Sequence, residues 1–121
     1  MERSINTKRV RNHTLGIDGL VESQSVDGQT VVLVEDLLSM MKVGEVCKCF
    51  TLLGTSLKEK FLTKLIGRDE VLIWLDPDEP GQRAARKIAK QLRGLVKTRI
   101  IHSDVDPKYL SVDKVKELLG C

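Results

Sequence analysis

Carboxylates stand where the apolar runs of this chain stop. "TVVLVE" (residues 30–35) closes on Glu35, "EVLIWL" (70–75) runs into Asp76-Pro77-Asp78-Glu79, and "TRIIHS" (98–103) leads to Asp104-Val105-Asp106. Alternate residues of an extended segment point the same way, so Asp76 and Asp78 can present two carboxylates to one side. Pro77 fixes its own φ and biases Asp76 toward extended backbone, which stiffens the pair. Grouped carboxylates repel one another and lose hydration unless something compensates them. A hard divalent cation does so: Mg²⁺ (or Mn²⁺) takes oxygen ligands and keeps water and phosphate oxygens among them. The candidate ligands are Glu35, Asp76, Asp78, Asp104 and Asp106. Acids ahead of a helix also cap its first turn and complement its dipole. That account suffices for Asp78 or Glu79 alone, but not for Asp76 or for a glutamate that ends an apolar strand.

The elements that would position these groups follow from periodicity. The β-branched run at 30–35 reads as a strand buried on both faces. "DLLSMMKVGE" then has helical spacing, with Asp36 as cap and Leu37, Leu38 and Met41 toward the core. "CFTLLG" (49–54) is a second strand ending at a glycine. "TSLKEKFLTKLI" (55–66) reads as a helix capped by Thr55 or Ser56, with Leu57, Phe61, Leu62 and Leu65 on one stripe. Residues 70–75 form the third strand, with Trp74 in the core. "PGQRAARKIAKQLRGL" (80–95) is a helix with Pro80 in its first turn. Residues 98–103 are a fourth strand, and "SVDKVKELL" (111–119) is a last helix capped by Ser111. Strand and helix alternating four times predict an α/β domain with a mainly parallel four-stranded sheet and helices on both faces. Right-handed crossovers place every strand's C-terminal end on one edge, where such sheets bind ligands. Acids far apart in sequence therefore converge on one rim. Residues 1–28 read as a basic arm with a hairpin signal at Asp27-Gly28, and 29–121 as the folded domain.

Composition narrows the class. With 121 residues, 41% apolar and 31% charged, the chain is sized for one globular core, and at 3% aromatic that core must be aliphatic. No apolar run has the length of a membrane span, and the basic N-terminus lacks the apolar stretch of a signal peptide. These features predict a cytoplasmic protein, or one made in a host cell by a virus. Cys47, Cys49 and Cys121, with His13 and His102, make neither a disulfide framework nor a zinc motif. The net charge is only +3, but no acid occurs from Gly81 to His102, while Arg83, Arg86, Lys87, Lys90, Arg93, Lys97 and Arg99 all do. A basic face of this kind is either solvated or contacts an anionic partner such as nucleic acid. Lys58, beside Thr55 and Ser56, is a further candidate for phosphate contact.

An apolar strand plus glutamate ("VVLVE"), a glycine-ended second strand ("LLGTSL") and an apolar strand plus Asp-x-Asp-x-x-Gly ("VLIWLDPDEPG") resemble the Toprim (topoisomerase–primase) family, a Rossmann-like fold. The resemblance runs from about Val31 to Leu119. It looks closest to bacteriophage primases and primase–helicases, on "GTSL", "DPDEPGQRAARKIAKQL" and "DPKYLS". It implies acid–base chemistry by Glu35 at a nucleotidyl-transfer centre, Mg²⁺ binding by Asp76 and Asp78, and a further acidic pair in Asp104 and Asp106. It implies short RNA primers made from nucleoside triphosphates on single-stranded DNA, held by Lys58, Arg83, Arg86, Lys87 and Lys90. It also implies a partner: a replicative helicase or a zinc-binding template-reading domain. Two features depart from the bacterial pattern. Ser39 stands where a further acid is usual, and Asp36 where glycine is usual. The same acids in a Toprim nuclease would direct water at a phosphodiester. A third reading is a non-catalytic module that binds nucleic acid or a helicase. "VVLVEDL" is also similar to response-regulator receivers, which would make Asp76 a phosphoacceptor, but His102-Ser103-Asp104 replaces the lysine expected there.

Overall fold

The computed structural model describes residues 13–15, 21–23 and 29–120. Its centre is four parallel strands: β3 (Thr30–Val34), β4 (Lys48–Thr51), β5 (Glu70–Ile73) and β6 (Thr98–Ile100), in the spatial order β4-β3-β5-β6. Two short strands, β1 (His13–Leu15) and β2 (Val21–Ser23), pair antiparallel with each other, and β2 pairs antiparallel with β4. The sheet thus has six strands in the order β1-β2-β4-β3-β5-β6. The basic segment 1–12 and the Asp27-Gly28 turn signal lie outside the described residues.

Both faces of the parallel sheet are covered, which is why its strands read as unbroken apolar runs. On one face Val31, Leu33, Phe50, Val71 and Ile73 pack against Ala84, Ala85, Ile88 and Leu92 of α2 (Glu79–Leu92) and against Leu57, Phe61 and Leu65. On the other, Val32, Val34, Cys49, Leu72 and Trp74 pack against Met40 and Val43 of α1 (Leu37–Val43) and Val115 and Leu119 of α3 (Val112–Leu119). Trp74 is fully buried and its indole Nε1–H donates to Ser103 Oγ at 2.8 Å, so it belongs to the core as the sequence suggests. No helix among the described residues is long and apolar enough to cross a membrane.

Two local expectations are corrected. In α1 the inward face is Ser39, Met40 and Val43, while Leu37 and Leu38 are exposed. Asp36 sets this phase: its side chain caps the helix by accepting from Ser39 N–H at 2.7 Å, and a seven-residue helix has no length in which to drift from its cap. The second correction concerns 55–66. Only Glu59–Lys64 is helical, as a 3₁₀ segment, and neither Thr55 nor Ser56 caps it; Lys58 stands before its first turn in extended backbone, with no side-chain cap bond. The Leu57 carbonyl accepts instead from Gln91 Nε2 of α2 at 2.9 Å, which holds the segment extended there. Leu57, Phe61 and Leu65 still reach the core. The apolar spacing is therefore read correctly and the helix type is not.

Candidate metal centre

Glu35 and Asp36 leave the C-terminal end of β3, and Asp76 follows β5 by three residues, on the adjacent strand of the same edge. Neither Glu35 nor Asp76 faces open solvent fully; both are half-buried. Glu35 Oε1 accepts the Asp76 backbone N–H at 3.0 Å, so the glutamate that ends one strand fixes the backbone at the exit of the next. The loop after β4 closes over the same place. Leu52 N–H donates to Val34 C=O at 2.8 Å and Gly54 N–H to Glu35 C=O at 3.0 Å. Gly54 has φ +150°, a backbone conformation that side-chain-bearing residues rarely adopt, which accounts for the glycine at the end of the second strand.

The glycine of Asp-x-Asp-x-x-Gly has a different cause. Gly81 is buried in the first turn of α2, and a Cβ there would collide with the Asp76 carbonyl and come within 2.8 Å of Glu35 Oε1 and 3.0 Å of Asp78 Oδ1. The motif needs glycine because three of its acidic partners close upon that point. Asp78 caps α2, with Oδ1 accepting Gly81 N–H at 2.8 Å, and Gln82 Nε2 donates to Asp76 C=O at 3.0 Å.

Three carboxylates come together: Asp36, Asp76 and Asp106 each offer an oxygen within 4.8 Å of the other two. Asp76 Oδ1 is buried with no hydrogen-bond partner among the described residues. Burial, and then the charges of Glu35, Asp106 and Asp36, push the Asp76 carboxyl up to about 7, with Lys108 opposing. Glu35 is also raised, first by burial; the bond from Asp76 N–H opposes this, and the charges of Asp78, Asp106 and Asp36 add to it. The cation in this group is Lys108, whose Nζ lies 3.3 Å from Asp36 Oδ2 and 3.5 Å from Asp106 Oδ2. Its own proton is held more tightly, chiefly through the hydrogen bond to Asp36.

The structure thus places the sequence candidates unequally. Asp76 and Asp106 are in the close group. Glu35 borders it through Asp76, Asp78 faces Gly81 as a cap, and Asp104 is exposed two residues before Asp106. Asp36, read from sequence as a cap, both caps α1 and joins the group. Its position next to Glu35 at a strand exit was the available signal. Lys108 carried none, since its contact with Asp36 spans 72 positions. Among the basic candidates, Lys58, Arg83, Arg86, Lys87 and Lys90 are exposed, and Arg83 and Arg86 pair with Glu79 at 3.3 and 4.0 Å.

An all-carboxylate donor set suits a hard ion such as Mg²⁺ or Mn²⁺, and a buried, unpartnered Asp76 oxygen is an atom such an ion would satisfy. The residues therefore fit the metal. The description of Toprim-like domains matches residues 33–111 of this sequence, well over half of its length. The chain belongs to the Toprim-like family. Comparison with curated proteins returned no match. Toprim domains occur in primases, nucleases and topoisomerases and bind Mg²⁺ through acidic residues.

Proposed function

We propose that this chain is the catalytic module of a DNA primase: a metal-dependent nucleotidyl transferase that makes short RNA primers on single-stranded DNA. The observation that carries the reading is the half-buried carboxylate group at the C-terminal edge, with an orphaned Asp76 oxygen and Glu35 beside it. Asp36, Asp76 and Asp106 would hold Mg²⁺ or Mn²⁺, with Asp78 adding negative charge from its capping position. When bound, the ion polarises phosphate oxygens and neutralises charge that develops during transfer. Glu35, whose proton affinity is raised, is suited to accept a proton at its carboxylate from the attacking 3′-hydroxyl. Its bond to Asp76 N–H orients that carboxylate. Gly81 keeps the space between them clear.

"GTSL" and the "DPDEPG" motif favour the primase reading over a Toprim nuclease. Lys58 and the basic face of α2 would hold triphosphate or template backbone. A cytoplasmic setting and a partner, either a helicase or a zinc-binding template reader, follow from the same reading. The test is one incubation with single-stranded DNA, labelled nucleoside triphosphates and Mg²⁺ or Mn²⁺, with the DNA end-labelled in parallel. Short triphosphate-dependent products, absent in Asp76→Asn, are expected. Metal-dependent cutting without triphosphates would assign the nuclease chemistry instead.

A further inference from the structure

The far end of α2 carries a second feature, on residues that take no part in the acidic group. Arg86 and Lys90 stand four residues apart on one side of the helix, and Arg93, the C-cap in non-helical backbone, follows against the same groove. Gly94, with φ +80°, turns the chain back so that Val96, Thr98 and Ile100 run beside that side. Between them lies an open groove of about 510 Å³, walled by Arg86, Lys90 and Arg93 and floored by Ala89, Val96, Thr98 and Ile100. No acid lines it. Lys90 and Arg93 make no ion pair among the described residues, and Arg86 reaches only the exposed Glu79, at 4.0 Å. β6 is the last strand of the sheet, with no strand among the described residues paired to its outer edge. Twelve helical positions separate Asp78 from Lys90, about 18 Å at the rise of an α-helix.

We propose that this groove is a binding site for the phosphodiester backbone of a single nucleic-acid strand, distinct from the acidic rim and joined to it along α2. Arg86 and Lys90, one helical turn apart, and Arg93 just past the helix end meet successive phosphates. The half-buried Ala89, Val96 and Ile100 give the bases an apolar floor, which only an unpaired strand can use. The groove has no aromatic ring and few fixed hydrogen-bond donors at its floor, so it holds the strand without reading its sequence. That the polyanion is nucleic acid rests on the function proposed above; the groove itself does not depend on the metal.

The experiment measures binding of a fluorescent oligothymidylate to the full chain by anisotropy, in EDTA, across a salt series. For a single strand the log–log salt slope is about −0.7 per phosphate neutralised. The triple variant Arg86→Gln/Lys90→Gln/Arg93→Gln is expected to lose about 2 from the magnitude of that slope and to bind at least ten-fold more weakly at about 0.1 M salt. Ala89→Glu, which leaves every cation in place but puts a carboxylate into the floor, is expected to weaken binding as well. Lys114→Gln/Lys116→Gln on α3, across the sheet, should change little, and thermal melts check that each variant folds. Asp76→Asn should bind the oligonucleotide at least as tightly as the native chain. Loss of primer synthesis with binding retained would therefore support the catalytic reading without bearing on the groove, and loss of binding in the triple variant would bear on the groove alone. The proposal is overturned if the triple variant keeps the native affinity and slope, if duplex DNA or ATP binds the native chain better than the single strand, or if Lys114→Gln/Lys116→Gln is as damaging as the triple change.

Discussion

The two ends of α2 solve opposite electrostatic problems. At the N-terminal end, Asp78 and Glu79 meet the positive pole of the helix, and Glu35, Asp36, Asp76 and Asp106 crowd in from three other segments. At the C-terminal end the side chains are cationic, exposed and spread along a groove, where the negative pole favours them. Cations at a surface need no structural partner, because water serves. Half-buried carboxylates in contact do need one, and Lys108 supplies a single charge against several. Strain is therefore concentrated at the rim. Burial and crowding raise the Glu35 and Asp76 carboxyls at the rim, whereas the cationic groove stays open to water.

This contrast can be broken most forcefully at Glu35. If it is the proton acceptor, Glu35→Gln should lower turnover on the order of 10²–10⁴-fold while leaving oligonucleotide affinity within about two-fold; steady-state kinetics and anisotropy on one preparation read both. Next in size is Gly81→Ala. A methyl group there must displace the Asp76 backbone, Glu35 and Asp78, and overpacking of this kind costs about 1–3 kcal/mol. The melting temperature should fall by several degrees, and Mn²⁺ binding should weaken with it. The same change at Gly67, where a Cβ meets nothing within 4 Å, carries only the cost of its positive φ.

A smaller effect is expected from pH. Asp76 is raised in the folded chain from an ordinary value of 3.8 to about 7. Between those values the folded state holds a proton that the unfolded state has lost, so this group's contribution to stability falls as pH rises through the window. Above it the folded chain carries the full cost of an ionised Asp76. Metal-free melts should therefore drop between about pH 4 and 7, and both Mn²⁺ and Asp76→Asn should flatten the slope. The smallest effect is expected at Lys108. Lys108→Met removes the cation that bridges Asp36 and Asp106, so the metal-free protein should melt lower and gain more from added Mn²⁺ than the native chain does. Lys108→Arg should restore most of the metal-free stability.

How much of this was legible in the sequence depends on reach. "VLIWLDPDEPG" is legible because strand, exit and cap lie within a dozen residues, and β-branched and apolar runs in alternation specify the parallel sheet without help. The convergence of acids on one edge follows from the same alternation and its handedness, whereas the order β4-β3-β5-β6 does not, because right-handed crossovers allow the second strand on either side of the first. The face of α1 was misjudged by two positions because its phase is set by the Asp36 cap, while Leu37 and Leu38, the most apolar-looking choice, lie in the first turn beside the rim. The 3₁₀ character of Glu59–Lys64 was hidden because Gln91, from another element, competes for the Leu57 carbonyl. Asp36 reads from sequence as a cap and not as a metal ligand, although it stands beside Glu35 at a strand exit, since Asp106 reaches it only after α2, β6 and the following loop are in place. Lys108 was illegible for the same reason.

The proposed site holds one divalent ion between Asp36, Asp76 and Asp106. The most direct measurement is an electron-paramagnetic-resonance titration of Mn²⁺ into the native chain, Asp76→Asn and Asp106→Asn. One bound ion per native chain is expected, competed by Mg²⁺, with loss of that ion in both variants while their thermal melts remain cooperative. Mn²⁺ binding that is absent from the native chain, or that persists unchanged when Asp76 and Asp106 are neutralised, would contradict it.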